Sequence, residues 1–286
     1  MQTVRTYYQL TKPGIIYGNA MTAAAGFLLG ARGQVDLELL VAMLVGLSLV
    51  IGSACVVNNY LDRGIDAVMA RTKRRALVSG AVSGRAALVY AAVLGLVGLG
   101  LLVAYTNELT VAISLVGFVD YVVLYGWAKR HTVHSTLVGS ISGAAPIVAG
   151  YGAATGRFDL GAALLFVILV AWQMPHFYAI ALYRGTDYAA AQLPVLPLVR
   201  GVRATKVQIL AYIVAFVAAT LALAAYGYAG WIYAAVMVPT GLVWLRLAWQ
   251  GLGAINDERW ARGLFRFSLI ILLVFSLMIS LNSLLW

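Results

Sequence analysis

Long, uncharged apolar runs constrain this chain more than any other feature, because about 20 such residues in helical form match the thickness of bilayer hydrocarbon. Runs of that kind fall at 14–31, 37–60, 86–105, 110–127, 136–153, 161–183, 207–227, 230–250 and 265–285. A spanning segment must satisfy its own backbone polar groups, so each run is expected to be an α-helix. The expected fold is therefore all-α, a polytopic bundle of nine transmembrane helices. With 286 residues, 63% of them hydrophobic and 10% charged, the chain leaves no room for a sizeable water-soluble domain. We expect one intramembrane domain over 1–286.

The chain carries a formal charge of +10. If the N-terminus lies inside, Arg32 and Arg157 alone among the 20 Lys and Arg fall outside, which points to an N-in, C-out topology. Basic residues that follow membrane sidedness exclude nucleic acid as a partner, leaving the lipid bilayer as the surroundings. The two long inward loops, near 61–85 and 184–206, make the cytoplasmic face the chemically rich one. Arg5 and Lys12 precede a long apolar run with no small-residue cleavage site, so the first span is expected to be retained. The single cysteine, Cys55, excludes an internal disulfide and any multi-cysteine metal site. Among 29 glycines, Gly26 with Gly30 and Gly139 with Gly143 have the spacing of close helix contacts. The second and sixth spans both end in a polar cluster followed by a basic loop, which hints at two four-helix halves plus a ninth helix.

The densest polar patch runs from Asn58 to Arg75. Asn58, Asp62 and Asp66 recur every four residues, each step turning about 40° round a helix, so their oxygens share a face. Magnesium takes one or two protein carboxylates and completes its shell with water and substrate phosphate. Carboxylates followed closely by Arg71, Lys73, Arg74 and Arg75 thus read as a site for a magnesium diphosphate. The plainer alternative is a solvated loop whose bases set topology and pair with its acids. Lys129 and Arg130 end the fourth span on the same side and would complete a phosphate clamp, with Tyr121 and Tyr125 on the face leading to Lys129. An interfacial aromatic belt would look similar. Asp120 lies deeper, with no partner evident in sequence. His176 is the one histidine inside an expected span, beside Trp172 and ahead of Tyr183 and Asp187. There it would ligate haem iron, shuttle a proton, or hydrogen-bond a neighbouring helix.

The stretch from Asn58 through Asp62, Asp66, Met69, Arg71 and Thr72 to Arg75 resembles the first aspartate-rich motif of the intramembrane UbiA-type prenyltransferases. Downstream, Tyr125 to Thr132, Gly139 to Pro146, Trp172 to Phe177, Asp187-Tyr188 and Leu193 to Pro197 are similar in content and order to the haem O synthase (protohaem IX farnesyltransferase) branch. This resemblance implies transfer of the farnesyl group of farnesyl diphosphate to a vinyl group of haem B, with addition of water, to make haem O. It implies Mg2+ on Asn58, Asp62 and Asp66, and diphosphate held by Asn58, Arg71, Lys73, Arg75, Lys129 and Arg130. Asp62, Asp66, Arg71 and Lys129 would be catalytic. Tyr121, Tyr125, Trp172, His176, Tyr183 and Asp187 would line the haem or prenyl chamber. It further implies a cell inner (plasma) membrane location, with the site towards the cytoplasm and a terminal oxidase assembly or haem-modifying partner downstream. The sixth span lacks the second DxxxD of most relatives, as the haem branch does. Two other readings remain at this level: a sister prenyltransferase acting on an aromatic or quinone precursor, and a membrane transporter or haem carrier, which would need no diphosphate signature.

Overall fold

The structure, a computed structural model, describes residues 2–284, so residue 285 of the last apolar run lies outside the described residues. Among these, nine helices are long and apolar enough to cross a membrane. We number them as spans one to nine: Pro13–Ala31, Leu37–Leu61, Gly84–Tyr105, Glu108–His131, Ser135–Thr155, Leu160–Tyr183, Gly201–Ala225, Trp231–Gly253 and Asp257–Asn282. The chain is a multi-pass membrane protein. The ends of the spans follow from local chemistry. Asp36, Ser83, Asn107 and Asp159 each accept a hydrogen bond from a backbone N–H three residues on, satisfying a donor that the first helical turn leaves free. Gly156 ends the fifth span at φ 69°, in the left-handed region where a side chain would be strained.

Several boundaries differ from the hydropathy reading: span four runs on to His131 rather than 127, span seven begins at Gly201 rather than 207, and span nine moves furthest. Span nine begins at Asp257, so the charged stretch up to Phe267 is helical rather than loop. Its polar residues lie on helix turns that reach beyond the apolar run, and an average over apolar content misses such turns. Span two ends at Leu61, and a short helix, Arg63–Val68, continues at a bend centred on Asp62. The hydrogen bonds from Asp62 N to Asn58 O and from Asp66 N to Asp62 O, at 2.9 and 2.8 Å, keep the four-residue spacing across that bend.

Packing repeats with an offset of four. Span two pairs with three as six does with seven; one with two as five with six; three with four as seven with eight; four with five as eight with nine. Spans one and five approach most closely through small residues. A Cβ at Gly26 would fall on the Ile147 carbonyl, and one at Gly150 on that of Ala23. One core, with Ile168, Ile213, Phe216, Trp244 and Phe275, joins spans six to nine. A second, with Phe27, Met43, Leu47, Leu102 and Ala149, joins spans one, two, three and five. Between them lies a cavity of about 430 Å³ walled by spans one, two, four, five, six and nine.

Candidate active site

At one end of this cavity the polar ends of spans one, two and four meet. Asn58, Asp62 and Asp66 are 3%, 8% and 4% exposed, a depth at which oxygens and charges require partners. Asp62 pairs with Lys129 through one oxygen and with Arg130 at 3.3 Å through the other. Asp66 pairs with Arg75 at 2.6 Å, and Arg75 also donates to Asn59 Oδ1 at 3.2 Å. Arg130 further donates to the Leu61 carbonyl at 2.9 Å. Arg71 and Lys73 are exposed and make no ion pair among the described residues. The sequence motif is thus divided into cations already engaged with carboxylates and cations free to meet a ligand.

Lys12, which sequence reasoning counted only towards topology, belongs to the cluster. Its Nζ donates to Asn58 Oδ1 at 2.7 Å and to the Tyr121 hydroxyl at 3.4 Å. Its backbone is left-handed at φ 53°, a conformation unusual for a residue with a side chain, and it stands immediately before Pro13. Burial brings its ammonium down to about 8. The available signal was a lysine–proline pair opening the first span on the same side as the aspartates.

Span four widens to i→i+5 hydrogen bonding over Asp120–Leu124, where Tyr125 N donates to Asp120 O. Tyr121 within this turn and Tyr125 just after it stack with ring centroids 5.7 Å apart, and Lys129 Nζ stands 5.2 Å from the Tyr125 ring centroid. Both tyrosines and Lys129 line the cavity. Asp120 does not. It is 1% exposed and accepts from Ser142 N at 3.0 Å, which ties span four to span five. Tyr188, also on the wall, has its phenol raised by burial, with Arg71 opposing the shift.

On the far wall, Trp172 donates Nε1–H to the Ser268 carbonyl at 2.7 Å, and the His176 ring stacks on it with centroids 4.8 Å apart. Both line the cavity. Tyr183 and Asp187 stand apart from the lining. Tyr183 lies edge-on to Phe265 and beneath Arg262, while Asp187 accepts from Ala70 N at 3.1 Å and so ties the two long loops together. His131 and His134 are exposed, His131 stacking on Trp127.

Among the described residues no group of three or more His, Cys, Asp or Glu could cage a metal by itself. Two buried carboxylates and a buried amide oxygen fit magnesium instead, since that ion draws its remaining ligands from water and phosphate. The Asn58 amide nitrogen is buried without a partner among the described residues, so among them Lys12 alone orients the amide, with its oxygen towards that ammonium.

An apolar intramembrane chamber with Lys129 on its wall, paired to a buried aspartate beyond the lining, defines a class: membrane enzymes that hold an oily group in the chamber and a charged group at its polar end. The model of the UbiA prenyltransferase family matches residues 19–270, and the chain belongs to that family. It is 54% identical to protoheme IX farnesyltransferase 2 of Chromobacterium violaceum, over 98% of this chain and 93% of that one. It is 48% identical to protoheme IX farnesyltransferase of Yersinia pseudotuberculosis, over 98% and 95%. Among solved structures it resembles a digeranylgeranylglyceryl phosphate synthase at TM-score 0.82, with 16% identity and full coverage of both chains. It also resembles a UbiA homologue from Archaeoglobus fulgidus bound to GPP and Mg2+ at TM-score 0.70, with 15% identity over 96% and 99%.

Proposed function

We propose that this protein transfers the farnesyl group of farnesyl diphosphate to a vinyl group of haem B, with addition of water, giving haem O. The observation that carries the reading is the single chamber with two differently built walls: Lys129, which reaches back to the buried Asp62, beneath Tyr121 and Tyr125, and stacked Trp172 and His176 on the side of span six. Relatives bearing the haem-farnesylating name match nearly the whole chain at about half identity, which supports haem B as acceptor over a quinone precursor.

Asp62 and Asp66, with Asn58, would hold Mg2+, which when bound neutralises diphosphate charge. Lys129, Arg130 and Arg75 already sit on those carboxylates and can turn to phosphate oxygens without crossing the chamber. Lys12, Arg71 and Lys73 add further positive charge. Stabilising the leaving diphosphate is the main catalytic contribution, because charge develops there as the farnesyl C–O bond breaks. Tyr121 and Tyr125 wall the path of the resulting allylic cation with electron-rich faces and shield it from water. The excess of positive residues at one end supports an N-in, C-out orientation with that end towards the cytoplasm, and the reading puts the protein in the cell inner membrane. The haem O product would pass to a terminal oxidase assembly or a haem-modifying partner.

The test incubates purified protein in lipid with haem B, farnesyl diphosphate and Mg2+, with and without chelator, then weighs the extracted haem. A magnesium-dependent product heavier by farnesyl plus water is expected. Unmodified haem from folded protein that prenylates a quinone precursor instead would move the reading to the sister activity.

A further inference from the structure

Resting on the haem and water reading above, the chamber wall also bears on how water reaches the reaction. Once the terminal vinyl carbon has bonded to farnesyl, positive charge lies on the vinyl carbon next to the porphyrin ring. That cation either gains water, giving a hydroxyl, or loses a proton from its new CH2 neighbour, giving an alkene. A water held ready on the wall decides between them.

Gln173 is 4% exposed and lines the chamber. Its Nε2 donates to the Ser140 carbonyl at 3.2 Å and to the Leu169 carbonyl at 3.1 Å. Two carbonyl acceptors fix the amide orientation, since a flip would set oxygen against oxygen. The Oε1 atom is left with no donor among the described residues. It occupies a niche open only because residue 143 is glycine; a Cβ there would overlap Oε1.

One turn on, His176 Nδ1 lies 2.8 Å from Ser268 Oγ, and Ser268 gives its only hydroxyl hydrogen to the Phe265 carbonyl at 2.6 Å. Nδ1 must therefore donate, and the neutral ring keeps its lone pair on Nε2, which has no partner among the described residues. Three of the chamber hydroxyls behave otherwise: Thr22, Ser114 and Ser142 each turn their hydrogen back onto their own helix. Two acceptors without donors, three residues apart on one helical face, complement the two hydrogens of a water molecule.

We propose that Gln173 Oε1 and His176 Nε2 hold the water that adds to the vinyl-derived cation, Gln173 aiming it and His176 taking its proton. The vinyl π pair forms the bond to farnesyl C1, whose electron pair to oxygen leaves with diphosphate. A water lone pair then closes on the cation, and the displaced proton passes to Nε2. No oxidation or reduction is involved.

The experiment resolves extracted haems by mass for wild type, Gln173→Met, Gly143→Ala, His176→Phe and Gln173→Glu. Gln173→Met keeps length without an acceptor, and Gly143→Ala keeps the amide but displaces its oxygen. Both, with His176→Phe, are expected to raise the ratio of product lacking water to hydroxylated product by about tenfold, the effect of one lost hydrogen bond in a competing step. Gln173→Glu keeps an oxygen acceptor but sets its second oxygen against the Ser140 and Leu169 carbonyls, so it too should raise the ratio. An altered rate at unchanged ratio in Gly143→Ala and whichever other variant folds would overturn the proposal. Wild-type protein yielding no hydroxylated haem would overturn the acceptor reading itself, and this inference with it.

Discussion

Replacing Lys129 by Met tests the reasoning about the site's electrostatics most directly. The Lys129 and Asp62 side chains are 10% and 12% exposed, so removing the lysine leaves a nearly buried carboxylate. Breaking such a pair from one side costs about 3–5 kcal/mol. Arg130 stays at 3.3 Å, but it is 42% exposed, and a pair with so solvated a partner returns about 0–1 kcal/mol. The net loss is therefore about 2–5 kcal/mol. Pairing Lys129→Met with Asp62→Asn removes the stranded charge, so the double variant should recover all but about 1 kcal/mol. Cys55 supplies the assay. It is the single cysteine and is 1% exposed, so a thiol-reactive fluorophore reports unfolding of the detergent-solubilised protein through one site. Stability losses that simply add, with coupling under about 0.5 kcal/mol, would refute the claim that these charges neutralise one another.

Other expectations follow from single residues. Folded Lys12 holds its proton less tightly than its unfolded counterpart, about 8 against 10.5, so between those values the unfolded chain binds more protons and stability rises with pH. Below that window both states are charged and the burial penalty is fully present; Lys12→Met should flatten the rise in denaturation curves taken from pH 8 to 10.5. If Asp66 holds magnesium as proposed, Asp66→Asn, which also frees Arg75 from its partner, should lower turnover by about a hundredfold or more, and excess chelator should mimic the loss in wild type. Turnover unaffected by either would remove the metal from Asp66. Gly150→Leu should sharply reduce the folded fraction on size-exclusion chromatography, since its side chain would enter the Ala23 backbone of span one. A normal yield would mean that spans one and five are not held at this distance.

The spans were legible in the sequence because the bilayer imposes one rule on each run independently: about 20 apolar residues, with charges expelled to the ends. The spacing of Asn58, Asp62 and Asp66 was legible for a similar local reason, since helical periodicity sets a shared face with no help from the rest of the chain. Lys12 escaped because a single lysine before a span has no periodicity. Tyr183 and Asp187 were read towards the chamber with the haem-branch motif around His176; seven positions keep Tyr183 on nearly the same helical face but about 10 Å further along the axis, against Phe265 and Arg262, and Asp187 lies beyond the end of the span. Asp120 had no visible partner, because its partner is the Ser142 backbone N–H, which any residue but proline would offer.

By itself the sequence determined an all-helical membrane chain, the extent of its crossings and the chemical kinds gathered at its polar ends. Only the tertiary structure decided which charges neutralise which: Lys12 reaches Asn58 across 46 positions, Lys129 reaches Asp62 across 67, and Asp187 meets Ala70 across 117. Such meetings depend on how far each helix rotates and how closely its neighbour approaches. Those quantities are set by glycines such as Gly26, Gly143 and Gly150, each answering to an atom on another span. Hydrocarbon dictates that a helix must cross, but it is equally apolar on every side, so packing between helices alone chooses which face turns inward.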